Sequence, residues 1–584
     1  MLDRVLALAA AVALALCAGT GARAASPVAV ESGRFMVVSA QRLAAEAGAE
    51  ILRNGGNAID AAVAVGYAEA VTNPCCGNIG GGGFMVAHLA DGRNVFVDFR
   101  ETAPASARPD MYLGPDGNVV PGASLRGWRA VGVPGTVLGL DTALTRFGRL
   151  PREQVMAPAI RLAREGFVLT RGDTDIMARF AGAIRRDPVA SRVFLRPDGT
   201  TFEPGDQLRQ PDLAETLSAI ARSGPDAFYR GPVAAAVARD SGGVLTEADF
   251  AGYAVTVSEP LRCSYRGYTV MSAPPPSSGG TALCQILGVV EGYDLHGFGF
   301  HGAREIHVLT EAMRHAFVDR NNFLGDPAFA RIPVEALLSR DRIERIRAQI
   351  GDRATPSVQT VAGNPPHERP ETTHYSTIDR EGNAVATTYT INGGYGAGVM
   401  AAGTGFLLNN EMDDFTIKTG AANFSGLVQG ELNKIAPGKR PLSSMSPTIV
   451  LRDGRVSLVL GSPGGGRIIT IVAQAIVNTI DHGMAAQEAA DAPRIHHQWL
   501  PDTIFAERHA LSPDTKSVLT AMGHAVTEQS NWGAIALIAV GPEKPTGARA
   551  ASSGTDSVSG GSMRPGMFYG AIDSRRPAGA AIGE

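Results

Sequence analysis

The chain has 584 residues, 44% hydrophobic and 19% charged, enough apolar material for a large buried core. Net charge is -4 and no Lys/Arg run is long enough to form a nucleic-acid footprint, so DNA and RNA are not expected as partners. Length alone predicts three or four domains, and 70 glycines predict many tight turns and close backbone approaches.

At the N-terminus Arg4 precedes an apolar run from Val5 to Cys17, and Ala22-Arg23-Ala24 has the small-x-small form of a cleavage site. This pattern predicts a secretory signal peptide over 1–24. The run is too short to span a bilayer, and bulky Leu16 before Cys17 disfavours lipid attachment. The mature chain is therefore expected to be exported, periplasmic or extracellular, with no membrane insertion after signal removal. Four cysteines remain, Cys75, Cys76, Cys263 and Cys284. Adjacent cysteines rarely pair, so buried thiols are expected, with a Cys263–Cys284 bridge as the alternative, and no metal-ligand spacing is present.

Phe35–Ser39 reads as a strand, and Ala40–Arg53 and Ala58–Ala70 read as helices, the second Ala-rich and suited to close packing. Gly80 to Gly83 precede a strand pair, Phe84–Leu89 and Asn94–Phe99, whose end carries Arg100-Glu101. An arginine leaving a buried strand end can clamp a carboxylate through its fork of donors, or can form a structural ion pair. Helices are predicted at Gly135–Phe147, Arg152–Gly166, Pro211–Ser223, Val233–Asp240, Gly280–Gly292 and Ala303–Phe323, with strands at Tyr253–Val257 and Gly267–Ser272. Asp352–Pro370 is polar, proline-bearing and aperiodic, a connector.

The next stretch organises the rest. Thr373–Ile378 and Ala384–Asn392 are β-branched or aromatic runs around the turn Asp379–Asn383. Pairing them as a hairpin sets Ile378 against Ala384 and Thr372 opposite Thr390. Two hydroxyls at the open end would suit a threonine nucleophile steadied by a second threonine, although a Thr–Thr pair is also ordinary sheet chemistry. Apolar Gly405–Leu408 leads into Glu411-Met412-Asp413-Asp414, acids that could bind an amine or form a solvated turn. Thr416–Lys439 reads as a cover. After strands Thr448–Leu451 and Val456–Leu460, Gly461-Ser462-Pro463-Gly464-Gly465-Gly466-Arg467 opens the helix Ile468–Ile480. Backbone N–H groups at such a junction bind anions or stabilise an oxyanion, and the spacing fits neither common nucleotide fingerprint. Gly541–Gly566 reads as an exposed segment.

Together, Thr372-Thr373-His374-Tyr375-Ser376, Asn409-Asn410-Glu411-Met412-Asp413-Asp414, Arg440-Pro441-Leu442-Ser443-Ser444-Met445-Ser446-Pro447 and the glycine loop resemble the γ-glutamyltranspeptidases, as do Gly77–Met85 and Asp98–Glu101. The resemblance implies an α+β fold, a four-layer αββα sandwich of the N-terminal-nucleophile hydrolase type. It implies self-cleavage between Glu371 and Thr372, leaving a large subunit (25–371) and a small one (372–584) associated as a heterodimer in a single structural unit. It implies Thr372 as nucleophile with its own α-amine as base, Thr390 orienting it, and Gly464 and Gly465 as the oxyanion hole. Arg100, Ser443 and Ser444 would hold a γ-glutamyl α-carboxylate, and Asn392, Glu411 and Asp414 its α-amine. Substrates would be glutathione and other γ-glutamyl compounds, with water, amino acids or peptides as acceptors, and no cofactor or metal. Phe424-Ser425 stand where some relatives carry a tyrosine over the donor site. Two other readings are a glutaryl-type acylase on the same fold, disfavoured by the amine-binding set, and a non-catalytic anion-binding protein.

Overall fold

The computed structural model describes residues 26–357, 370–542, 557–558 and 561–584. The predicted signal peptide, most of the 352–370 connector and most of the Gly541–Gly566 segment lie outside them.

Fourteen strands build two seven-stranded, antiparallel sheets. In chain order they are β1 (Val30–Ser32), β2 (Phe35–Ser39), β3 (Gly82–His88), β4 (Asn94–Phe99), β5 (Thr256–Ser258), β6 (Leu261–Tyr265) and β7 (Tyr268–Ser272). β8 (Pro370–Asp379), β9 (Ala384–Gly393), β10 (Thr448–Arg452), β11 (Arg455–Gly461), β12 (Ala536–Val540), β13 (Phe568–Ile572) and β14 (Ala580–Gly583) follow. One sheet has the order β14-β2-β8-β9-β3-β4-β5, the other β1-β13-β12-β11-β10-β7-β6.

Strand periodicity dictates the layering. Side chains alternate between faces, so in β2 Phe35 and Val37 enter one core while Met36 and Val38 enter another; Met85 and Ala87 of β3 part from Phe84 and Val86 in the same way. The first core lies between the β8-containing sheet and helices including α1 (Arg42–Arg53), α2 (Ala58–Thr72), α3 (Thr136–Phe147), α4 (Arg152–Glu165) and α5 (Pro211–Ser223). The second lies between the sheets and beneath α6 (Gly279–Val290), α7 (Ala303–Phe323) and α8 (Ile468–Ile480). The result is the helix–sheet–sheet–helix sandwich expected, with residues from both sides of position 371 in each core. The three or four domains suggested by length do not form.

Several local expectations shift. Helix α1 starts at Arg42, because the Gln41 side chain caps it by accepting from Leu43 N (2.6 Å). The strand expected at Tyr253 begins at Thr256, since the Tyr253 hydroxyl donates to the Arg100 carbonyl (2.8 Å) and its N–H closes a turn on Phe250. Apolar Gly405–Leu408 forms no regular element: Leu408 bonds back to Ala397 and Val399 of the preceding loop. Both cysteine pairs are disulfides. Cys263 of β6 joins Cys284 of α6, and Cys75 joins Cys76 in the tight turn closed by Cys76 N on the Asn73 carbonyl, correcting the expectation of buried thiols.

Candidate active site

The hairpin β8–β9 forms in the predicted register, Thr372 facing Thr390 and Ile378 facing Ala384. One irregularity breaks it: Pro370 pairs with Gly393, so β9 carries an extra residue opposite Glu371. Asn392 takes up that residue at φ 68°, a left-handed conformation uncommon outside glycine. The bulge presents Thr372 to the space between the sheets, while the next residue points to the helix layer, where Thr373 Oγ1 donates to Glu69 of α2 (3.3 Å).

Glycines let the hairpin sit this deep. A Cβ on Gly81 would lie 1.9 Å from the Thr390 carbonyl oxygen, one on Gly80 2.1 Å from that of Leu407, and one on Gly83 2.4 Å from that of Thr388. The four-glycine run is thus a requirement for seating β3 and its approach against β9. His374, adjacent to Thr373, is fully buried between Thr388 Oγ1 (2.7 Å) and Ser376 Oγ (3.1 Å), and burial pushes its pKa down to about 3. It stays a neutral packing element, as its place in the strand predicts.

Around the Glu371–Thr372 bond three contacts form a short chain. Thr372 Oγ1 donates to Thr390 Oγ1 (3.2 Å), and Thr390 Oγ1 donates to the Glu371 carbonyl oxygen (3.3 Å) while accepting from Asn392 N (2.7 Å). The second threonine therefore touches both the nucleophile and the carbonyl of the bond to be cut. The Glu371 carboxylate is clasped by Arg576 (2.8 Å) and Arg179 (3.3 Å), and Cys76 Sγ lies 3.6 Å from it.

Thr372 opens onto a small cavity of ≈ 30 Å³ shared with Thr390, Asn392, Glu411 and Asp414. Arg100, Ser443, Ser444 and Gly465 complete most of the predicted set, and all are in its walls. Gly464 instead faces a wider cavity of ≈ 970 Å³ on the Glu371 side. Gly464 (φ 142°) and Gly465 (φ 55°) both adopt glycine conformations, and Arg467 N closes on the Gly464 carbonyl (3.0 Å) just before α8.

The charges that the resemblance assigns to the two ends of one ligand hold each other. Arg100 is fully buried, bonded to Glu411 and to Asp414 (2.6 Å), with Glu101 at 3.5 Å. Burial works against its charge, but these carboxylates outweigh that and raise its pKa. Burial pushes Glu101 up to about 7 and Glu411 well above the usual carboxylate range. Three acids around Arg100 make a site that an added ammonium group would relieve.

Sequence reasoning missed Arg320, on α7. It is buried and lines the same cavity, donating to Ser444 Oγ (3.0 Å), Ser278 Oγ (3.0 Å) and Gln429 Oε1 (3.0 Å). Burial lowers its pKa to about 10, so it remains a cation. The predicted cover is held over the cavity: Ser425 and Leu427 contribute to its wall, Gln429 and Asn433 donate to the Asp414 carbonyl (2.9 and 2.7 Å), and Phe424 N donates to Asp413 (2.8 Å).

Residues 44–564 match the family described as "Gamma-glutamyltranspeptidase". A "Glutathione hydrolase proenzyme" of Pseudomonas sp. (strain A14) is 49% identical over 573 residues, 97% of each chain. An "Acylase ACY 1 proenzyme" of Pseudomonas sp. (strain SE83) is 40% identical, covering 92% of this chain and 96% of its own. The crystal structure of cephalosporin acylase from Bacillus halodurans superposes with a TM-score of 0.81 at 26% identity, covering 97% of this chain and 98% of that one. With the family pattern spanning nearly the whole chain and the threonine pair, acidic triad and glycine loop meeting at one site, this chain belongs to the γ-glutamyltranspeptidase family.

Proposed function

We propose that the chain is an exported proenzyme that cuts its own Glu371–Thr372 bond and then transfers γ-glutamyl groups, glutathione's among them, to water, amino acids or peptides. The observation that carries this reading is the contact chain from Thr372 Oγ1 through Thr390 Oγ1 to the Glu371 carbonyl. In the intact chain Thr372 Oγ attacks the Glu371 carbonyl carbon, polarised by the Thr390 hydroxyl. A C–O bond forms, the C–N bond breaks, and the hydroxyl proton passes to the departing Thr372 nitrogen. Water then hydrolyses the ester, which severs the covalent link between the large subunit (25–371) and the small one (372–584) while the two stay associated.

The new α-amine has a pKa near neutrality and serves as base to its own hydroxyl. Thr372 Oγ attacks the γ-carbonyl of the donor, the amine takes its proton and gives it to the leaving amine, and the acceptor then attacks the resulting ester, breaking the bond to Thr372 Oγ and restoring its hydroxyl. Gly464 and Gly465 N–H groups supply the donors for the tetrahedral oxygen. Arg100, Ser443 and Ser444 hold the donor's α-carboxylate, and Asn392, Glu411 and Asp414 its ammonium, exchanging the present Arg100 ion pairs for pairs with the ligand. The acidic set disfavours a glutaryl acylase, because a glutaryl group has no ammonium to satisfy Glu411 and Asp414.

Denaturing electrophoresis and N-terminal sequencing test this. The wild type should give two fragments, the smaller starting at Thr372, and Thr372→Ala one intact chain. The matured protein should release amine from a γ-glutamyl anilide far faster than from a glutaryl anilide. A wild-type chain that stays whole, or the reverse substrate order, overturns the proposal.

A further inference from the structure

Away from the catalytic cavity, three side chains that sequence spacing could not bring together meet in the interior. His307 and Glu311 lie one turn apart on α7, hence on one face. His524 arrives from the turn that ends α9 (Pro513–Ala521), fixed by its N–H on the Leu519 carbonyl (3.0 Å). One ligand atom from each lies within 4.8 Å of the other two, and the three residues are only 2%, 0% and 4% exposed.

Their hydrogen bonds leave lone pairs that are unpartnered or shared only within the cluster. His307 Nε2 is 2.8 Å from the Gly351 carbonyl, which can only accept, so the His307 proton is on Nε2 and its Nδ1 is a lone pair. His524 Nε2 donates to that Nδ1 (2.8 Å), which leaves His524 Nδ1 as a second lone pair, buried with no partner. Glu311 Oε1 accepts from Thr355 N (3.1 Å) and Arg314 Nε (3.3 Å), but Glu311 Oε2 is buried with no partner. Uncompensated acceptors in a dry interior are costly. A metal ion would satisfy Glu311 Oε2 and take up the His307 Nδ1 lone pair at the same time.

We propose that His307, Glu311 and His524 form a binding site for a divalent transition-metal ion, Zn²⁺ being the ion of choice. Two imidazoles and a carboxylate are the ligand types zinc takes, with a fourth position for water or the second carboxylate oxygen. The His307 Nε2–H bond to a backbone carbonyl is the outer contact that orients metal-bound histidines. Binding displaces the His524 Nε2–H···Nδ1 hydrogen bond: the His524 proton moves from Nε2 to Nδ1, and Nε2 becomes the ligand atom. His307 and Glu311 precede position 371 and His524 follows it, so the ion ties together the segments on either side of the proposed cut. Neither cavity described above includes these residues.

The test uses matured wild-type protein without a histidine tag, stripped with EDTA and then supplied with Zn²⁺ or Co²⁺. Expected are about one metal ion per chain by atomic emission, visible ligand-field bands with Co²⁺, and a thermal midpoint higher with Zn²⁺ than with EDTA. His524→Ala and Glu311→Gln should abolish uptake while leaving anilide turnover unchanged. A wild type that takes up no metal overturns the proposal, even if the variants fail to fold, and so does a folded His524→Ala protein that takes up as much as wild type.

Discussion

Replacing Thr390 by valine keeps shape and volume but deletes the hydroxyl that touches three partners at once. Thr372 Oγ1 loses its acceptor, the Glu371 carbonyl loses its donor, and Asn392 N is left buried and unpaired. Each neutral hydrogen bond contributes about 0.5–1.5 kcal/mol, so losing the two at the scissile bond raises the cleavage barrier by about 1–3 kcal/mol. That corresponds to self-cleavage slowed roughly five- to 150-fold. The unpaired Asn392 N–H adds a fold destabilisation of about 1–3 kcal/mol. The assay is a pulse of synthesis followed by denaturing electrophoresis, timing the conversion of precursor to two fragments. Thr390→Ser, which restores the hydroxyl, should recover most of the rate. Wild-type kinetics for Thr390→Val, or a serine variant as slow as the valine one, would refute the reasoning.

Three further outcomes are expected. Glu411→Gln should raise KM for a γ-glutamyl anilide more than it lowers kcat, by roughly 10–100-fold, the size of one hydrogen bond to a charged group; an unchanged KM would remove Glu411 from the ammonium site. His374 is neutral when folded, its pKa held at about 3, whereas an unfolded histidine titrates at its ordinary 6.5. Its contribution to stability is present above pH 6.5 and is lost as pH falls from there towards 3, amounting to about 2 kcal/mol by pH 5. Urea unfolding of the uncleaved Thr372→Ala chain at pH 7 and pH 5 should show this loss, and His374→Gln should lessen it. Replacing Cys263 and Cys284 by serine opens a cross-link between positions 21 apart, which should cost about 3 kcal/mol in the same assay.

The β8–β9 hairpin was legible because its information is local. Alternating β-branched residues, a Gly-Asn turn and a two-residue period determine its register, and so fix Thr372 opposite Thr390. The bulge at Asn392 was not legible: an extra residue in one strand leaves no compositional trace when that residue is not glycine. Arg320 was hidden for a different reason. On a helix an arginine ordinarily faces water, and only the tertiary approach of Ser278, Ser444 and Gln429 makes this one part of the cavity. Helix Arg171–Ile184 and strands β12, β13 and β14 were not predicted either. β14 pairs at the sheet edge with β2, more than five hundred residues away in sequence, a long-range pairing that supplies no local signal. The Cys75–Cys76 bond ran against composition rules, because it depends on the turn that follows α2.

The Glu371–Thr372 peptide joins two residues that line different cavities. Glu371 faces the wide cavity of ≈ 970 Å³ and Thr372 the narrow one of ≈ 30 Å³. The proposed cut would open that bond and free the amine, so a reagent entering by the wide side would meet the activated nucleophile only afterwards. On that proposal the molecule is a single-use valve, opened from within and with no means of closing again. An affinity label built on a γ-glutamyl head should therefore mark the small fragment and leave intact precursor in the same sample unmarked, which makes such a label a direct counter of molecules that have already fired.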